Sequence, residues 1–173
     1  LKIDGLKVIL DYEKGLFVRG ATRGDGSVGE DITENLKTVR DIPLSISEKK
    51  SLSVVGEAWI EKDFLKKINT KRKEEHLEPY ANPRNLAAGT LRQLDTKIVA
   101  QRKLKTFIYD FNSTEISLIS QKDELDFIEQ QGFSINKQYL VTKQVRDIQD
   151  YYEQWISKRH HEQYGIDGLV IKI

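Results

Sequence analysis

Near the start of the chain Lys2, Asp4 and Gly5 fall in the run KIDG, at the head of an apolar segment. In an extended segment residues two apart point the same way, so Lys2 and Asp4 can address one ligand. Gly5 then lets a ligand approach the backbone. A lysine acts as a nucleophile only after losing its proton, which for an ordinary ammonium at pH 7 is uphill by about 4.6 kcal/mol. Asp4 works against that loss, because an opposite charge stabilises the ammonium; nearby cations or desolvation must offset it. Arg23, Lys172 and a bound divalent metal are the candidates. The competing reading is a solvated lysine on a strand, and its partners must decide.

Other positions carry the same tension between function and plain solvation. Glu57 follows Gly56 in a run otherwise apolar from Val54 to Ile60, where a carboxylate is costly unless paired or bonded to a ligand hydroxyl. The alternative is an edge position facing water. Asp167 and Gly168 precede LVIK, which places Lys172 inside a β-rich run. TRGDGSVGE, residues 22–30, reads either as a hairpin turn or as a glycine-rich loop whose N–H groups face phosphate. Its spacing matches neither a Walker loop nor a dinucleotide fingerprint. Tyr109, in FIYDF, is either core or a ring at a strand end that can stack on a base. KRKEEH reads as a solvated helix face, and His76, His160 and His161 lack partners at metal-ligand spacing, so no zinc site is expected.

These residues need a scaffold. LKVILDY from Leu6 and GLFVRGAT from Gly15 read as a hairpin turning at Glu13-Lys14-Gly15. The glycine-rich stretch feeds a helix start that Asp31 or Thr33 can cap. Residues 51–60 read as a central strand, and the helix after them places Phe64, Leu65 and Ile68 on one face. Asn82 and Pro83 start a helix from which Arg84 and Arg92 project; eight residues apart, they lie within about 80° around the axis and can share a side. Residues 105–111 read as a buried strand, 122–132 as a helix ended by Gly132, and 133–142 as a further strand. Val145, Ile148, Tyr152, Trp155 and Ile156 recur at helical spacing, and 166–173 reads as a final strand. With no repeat or linker, the class is α+β around mostly antiparallel sheets flanked by helices.

Bulk properties narrow the classes without choosing one. The 173 residues suffice for one domain with a sizeable core. Lys and Arg number 28 against 27 Asp and Glu, so gross charge gives no argument for nucleic acid. Without cysteine there is neither a disulfide framework nor a thiolate zinc site, which fits a reducing compartment. No apolar run approaches the roughly 18 residues of a membrane span, so the cytoplasm and no membrane partner are expected. The absence of methionine, the start at Leu1 and the strand-like end at Ile173 read as a piece of a longer polypeptide.

In order, KIDG, TRGDGSVGED, VVGEAWI, NPRNLAAGTLRQLD and IDGLVIKI resemble the adenylation, or nucleotidyltransferase, domain of bacterial NAD-dependent DNA ligases across the whole chain. The resemblance implies an ATP-grasp-like nucleotidyltransferase fold over residues 1–173. It implies that Lys2 attacks NAD to form lysyl-AMP, that AMP passes to the 5′-phosphate of nicked double-stranded DNA, and that the 3′-hydroxyl then displaces AMP. By the same likeness Asp4 orients Lys2, Glu57 binds the AMP ribose, and Tyr109 and Val170 sandwich the adenine. Lys172 and Asp167 belong to the last motif near the nucleotide, with Gly5 beside it and Arg23 toward the nicotinamide side. Arg84, Arg92 and Arg159 are expected along the DNA, the last also reading as a charged helix end.

The resemblance further implies magnesium or manganese, of unknown position, a monomer, and a bacterial, nucleoid-associated location serving replication and repair. The nicotinamide mononucleotide (NMN)-binding module, OB-fold, zinc finger, helix-hairpin-helix and BRCT parts are outside these residues, so the chain alone is not expected to ligate DNA. Alternatives are an ATP-dependent ligase or capping enzyme, against which the NPRN segment argues, a non-catalytic nucleotide-binding or DNA-binding copy of the fold, and a lysine Schiff-base enzyme.

Overall fold

Lys14 and Gly15 both take positive φ, 50° and 77°, as a two-residue hairpin turn of the primed kind requires. They join β2 (Leu6–Glu13) to β3 (Leu16–Thr22). The computed structural model describes residues 1–24 and 28–173. The remaining elements are β1 (Lys2–Asp4), α1 (Thr33–Leu36), β4 (Leu52–Trp59), α2 (Lys62–Glu74), α3 (Pro83–Leu91), α4 (Thr96–Gln101), β5 (Lys105–Asn112), α5 (Gln121–Gln130), α6 (Val145–Lys158) and β6 (Gly165–Gly168). They form a four-stranded antiparallel sheet in the order β3-β2-β4-β5 and a two-stranded antiparallel sheet of β1 and β6. The class is α+β, as expected.

One face of the larger sheet is apolar. Val8, Leu10, Tyr12, Val54, Ala58 and Ile108 alternate with residues of the other face, in keeping with the period of two along each strand. Leu36 of α1, Leu86 and Leu91 of α3, Val99 of α4 and Ile128 of α5 belong to the same core cluster. A second cluster, Ile3, Trp59 and Tyr164 with Phe107 and Ile166, joins the small sheet to the larger one. Its rings meet at 5.1 Å for Trp59 and Phe107 and 5.3 Å for Trp59 and Tyr164, the latter edge to face.

Local signals explain the helix starts. The Asn82 side chain accepts from Asn85 N, with Pro83 as the first residue of α3. Ser120 and Asp123 close a capping box on α5, and Gly132, at φ +93°, ends that segment. Asp31 Oδ1 accepts from Thr33 N at 2.9 Å, but the N-cap position of α1 is Ile32, so neither Asp31 nor Thr33 is its capping residue. Phe64, Leu65 and Ile68 pack against the core, as their spacing predicts.

Two expectations are corrected. Residues 133–142 form no strand: Phe133 and Ile135 are buried in alternation, but the ladder contributes one bond from Ile108 N to Ser134 O, and the Asn136 side chain then accepts from Gln138 N. The last strand ends at Gly168, because the three residues of β1 give it nothing further to pair with, and Val170, Ile171 and Ile173 are exposed. The residues that recur at helical spacing from Val145 do form a helix, α6, with Trp155 buried and Val145, Tyr152 and Ile156 exposed. The short helix α4, capped by the Asp95 side chain, had no counterpart among the expected elements.

Leu86 is fully buried between α3 and the sheet, so Leu86→Ala is expected to lower the unfolding free energy by about 2–5 kcal/mol. The check is urea unfolding, read as a lower midpoint at unchanged slope.

Candidate active site

The chain crosses between the two sheets at Gly5, leaving Lys2 and Asp4 on β1 and Glu57 on β4. A Cβ at Gly5 would lie 2.4 Å from the Ala58 carbonyl oxygen and 2.8 Å from Glu57 Cγ. The space that Gly5 leaves is therefore taken by β4. Ile3 points into the second core cluster, so Lys2 and Asp4 fall on the opposite face of β1.

Lys2 and Asp4 each form an ion pair with a residue distant in sequence. Lys2 Nζ pairs with Asp167 Oδ2 at 2.5 Å, and Asp4 Oδ1 lies 3.5 Å from Arg84 Nη1. A β-bulge accounts for the first contact. Lys2 pairs with Gly168 and Ile3 with Ile166, which leaves Asp167 as the extra residue on β6 and turns it to the face of Lys2. Both members of this pair are about half exposed, at 53% and 41% of the side chain, so the contact orients more than it stabilises.

The same device places Tyr109. Val55 pairs with Asp110 and Gly56 with Ile108, so Tyr109 is the extra residue of a bulge on β5. Burial, followed by the charges of Glu57 and Asp110, pushes the Tyr109 pKa up to about 12 against a smaller opposing effect of Arg23. Arg23, at the start of the glycine-rich stretch, is thus close enough to Tyr109 for its charge to act there. Lys172 Nζ lies 3.5 Å from Asp110 Oδ1 and 3.4 Å from the Tyr109 carbonyl oxygen. Val170 is exposed.

Glu57 is only 9% exposed. Burial raises its pKa above the ordinary carboxylate value, and Arg84, Lys7, the Gly5 N–H and Lys2 offset part of the rise. The water-facing edge position is thereby excluded. Lys7 stands directly across from Glu57 in the ladder of β2 and β4. Sequence reasoning missed it, although its place in the alternation of β2, between the buried partners of that strand, puts it on the Glu57 face.

The three arginines go to different partners. Arg84 is tethered by Asp4, while Arg92 lies just past the end of α3 and its Nε donates to Glu30 Oε2 at 2.6 Å. Arg159 follows α6 and lines a cavity of about 190 Å³ with Asp167, Trp155 and Ile166, which brings it beside the Lys2 pair. Glu30 and Asp110 were also missed; their signal was a charge at the edge of a glycine-rich stretch and within an apolar strand. The middle of that stretch, residues 25–27, lies outside the described residues. Thr22 N donates to Glu30 O at 3.0 Å across its base.

Among the described residues, a lysine amine, a buried carboxylate, a ring and several cations thus converge where two sheets meet. The family model of the NAD-dependent DNA ligase adenylation domain matches residues 1–173. The chain belongs to this family. It is 51% identical over 174 residues to the DNA ligase of Bacillus pumilus, 48% over 173 to that of Clostridioides difficile and 50% over 174 to that of Brevibacillus brevis. These matches cover 99–100% of the chain but 26% of each relative, so the chain spans about a quarter of their length. No helix among the described residues of this adenylation domain is long and apolar enough to cross a membrane.

Because the folded adenylation domain holds the Glu57 proton more tightly than the unfolded chain, stability falls as pH rises from the ordinary carboxylate value through the raised one. Glu57→Gln is therefore expected to be more stable than the parent at pH 7. The difference should vanish near about pH 4 and below, where both states carry the proton. Thermal unfolding across this range checks it; a difference independent of pH would show that ionisation is not its source.

Proposed function

We propose that this chain carries the self-adenylation chemistry of an NAD-dependent DNA ligase, with Lys2 as the nucleophile. The observation that supports the reading best is the placing of Lys2, held by Asp167, at the junction where Glu57 and Tyr109 face the same space. The Lys2 amine, its proton lost to the solvent that both members of the pair meet, attacks the α-phosphorus of NAD. A phosphorus–nitrogen bond forms, the bond to nicotinamide mononucleotide breaks, and lysyl-AMP results. AMP then passes to the 5′-phosphate of nicked double-stranded DNA, and the 3′-hydroxyl displaces it to seal the nick.

Each side chain then has a task. Glu57 accepts from the ribose hydroxyls, which return to a buried carboxylate the hydrogen bonds lost on desolvation. Tyr109 offers a ring for adenine, with Val170 closing the other side, and Lys172 and Arg23 put positive charge where phosphoryl charge develops. Asp4 aims Arg84, and Asp167 aims Lys2. Gly5 keeps β1 close enough to β4 for these groups to share one ligand. Arg84, Arg92 and Arg159 contact phosphates of the nicked strand, a positioning task without sequence preference.

Among the described residues no three His, Asp or Glu side chains gather into a cage for a divalent cation. Magnesium keeps several waters and binds through one or two carboxylates and substrate phosphates, so it needs no such cage; the tasks above are those of the chain's own groups. The reading extends to one domain over residues 1–173, a nucleotidyltransferase (ATP-grasp-like) fold, a monomer and the nucleoid of a bacterial cytoplasm, with replication and repair as the setting.

The test is the intact mass of the full-length protein after incubation with NAD and magnesium, beside Lys2→Ala. A gain of one AMP with NAD, absent with ATP and absent in the variant, is expected. A gain in the variant would remove Lys2 from the role, and a gain from ATP alone would remove NAD as the donor.

A further inference from the structure

Arg92 is held at its guanidinium by Glu30, but its backbone is held from elsewhere. Asn35, on α1, is 8% exposed, and its amide Nδ2 donates to Leu91 O at 2.8 Å and to Gln93 O at 2.8 Å. These two carbonyls flank Arg92 on either side. One buried amide therefore bonds the carbonyls of the residues before and after that arginine, across 56 and 58 residues of chain.

Asn35 is itself anchored to the base of the glycine-rich stretch. Ile32 N donates to Gly20 O at 2.9 Å, and Gly20 N donates to Thr33 Oγ1 at 2.9 Å, which fixes the start of α1 on β3. Glu30, the partner of the guanidinium, is fixed to the same strand by its N–H to Thr22 Oγ1 at 3.0 Å. The side chain and the backbone of Arg92 are thus referred to one short stretch, residues 20–35. The helix before Arg92 ends at Leu91, so without Asn35 the direction of Arg92 would rest on a terminal turn, where helices fray.

We propose that Asn35 is a positioning residue for the DNA-directed steps, acting through Arg92 and not through the nucleotide. The proposal rests on the reading of Arg92 as a DNA contact. A shift of about 1 Å in a positioning group lowers rates by about a hundredfold. Losing both bonds should therefore slow DNA steps while sparing the reaction with NAD, whose groups lie on β1, β4, β5 and β6 and, for Val170 and Lys172, past β6; Arg23 shares the glycine-rich stretch with α1, but the two bonds of the Asn35 amide go to Leu91 O and Gln93 O.

The test compares Asn35→Ala, Arg92→Ala and the double variant in the full-length protein. One assay is lysyl-adenylate formation from NAD without DNA; the other is single-turnover sealing of a pre-adenylated nick. The expected result is sealing slowed about tenfold to a hundredfold by Asn35→Ala, with adenylate formation within about twofold of the parent. The double variant should be no slower than Arg92→Ala alone. Multiplying effects, or equal losses in both assays, would mean that Asn35 serves general stability and would overturn the proposal. Sealing unaffected by Arg92→Ala but slowed by Asn35→Ala would overturn the reading of Arg92 instead, while leaving adenylate formation by Lys2 untouched. Should the alanine variant not fold, Asn35→Gln, which keeps the amide one methylene further out, is expected to show the same split with a smaller loss; an even loss in both assays would count against the proposal.

Discussion

The close approach of Gly5 to β4 is the constraint on which the rest depends. With its α-carbon packed against the Ala58 carbonyl and the Glu57 side chain, the chain can leave one sheet and enter the other within a single residue. Lys2 and Asp4 then stand on a short two-stranded ribbon that the Trp59, Phe107 and Tyr164 rings join to the larger sheet. A two-stranded ribbon alone is marginal in water, so this aromatic contact lends β1 and β6 the rigidity that keeps Lys2 and Asp167 in place. A side chain at position 5 would push the ribbon away and separate Lys2 from Glu57.

Two bulges complete the arrangement. A regular ladder would alternate Tyr109 and Asp167 with their neighbours and send one of every two residues to the far face. The extra residue on β5 and on β6 breaks the alternation where a ring and a carboxylate are needed near the junction.

The charges in the site serve direction more than stability. The pairs of Lys2 with Asp167, Arg84 with Asp4 and Arg92 with Glu30 are all partly exposed, and such pairs contribute about 0–1 kcal/mol. Glu57 is the exception, since its burial opposes folding at neutral pH. The core on the other face of the sheet, from Val8 to Ile108, offsets that penalty and leaves the junction free to hold an unfavourable carboxylate. Core and site occupy opposite faces of the same strands, so the alternation that builds one also displays the other.

Much of this was legible in the sequence where the signal is local. The hairpin at Lys14 and Gly15, the helix start at Asn82, the apolar face of α2 and the class of the fold follow from turn chemistry and periodicity within a few residues. Lys2, Glu57 and Lys172 also stood out, because a charge in an apolar run needs a reason wherever it lies. Tertiary structure alone decided who meets whom. Lys2 is partnered by Asp167, 165 residues away, in place of its neighbour Asp4, because a bulge on another strand sets that contact. Phe133 and Ile135 have the alternation of a strand but share one ladder bond among the described residues, and Leu169 to Ile173 have the composition of a strand but no paired strand among those residues. Asn35 looks like any helix-start asparagine until α3 is laid against it. Backbone propensity and spacing act over a turn or a strand, whereas pairing and burial depend on segments distant in sequence, and these convert a list of reactive residues into a site.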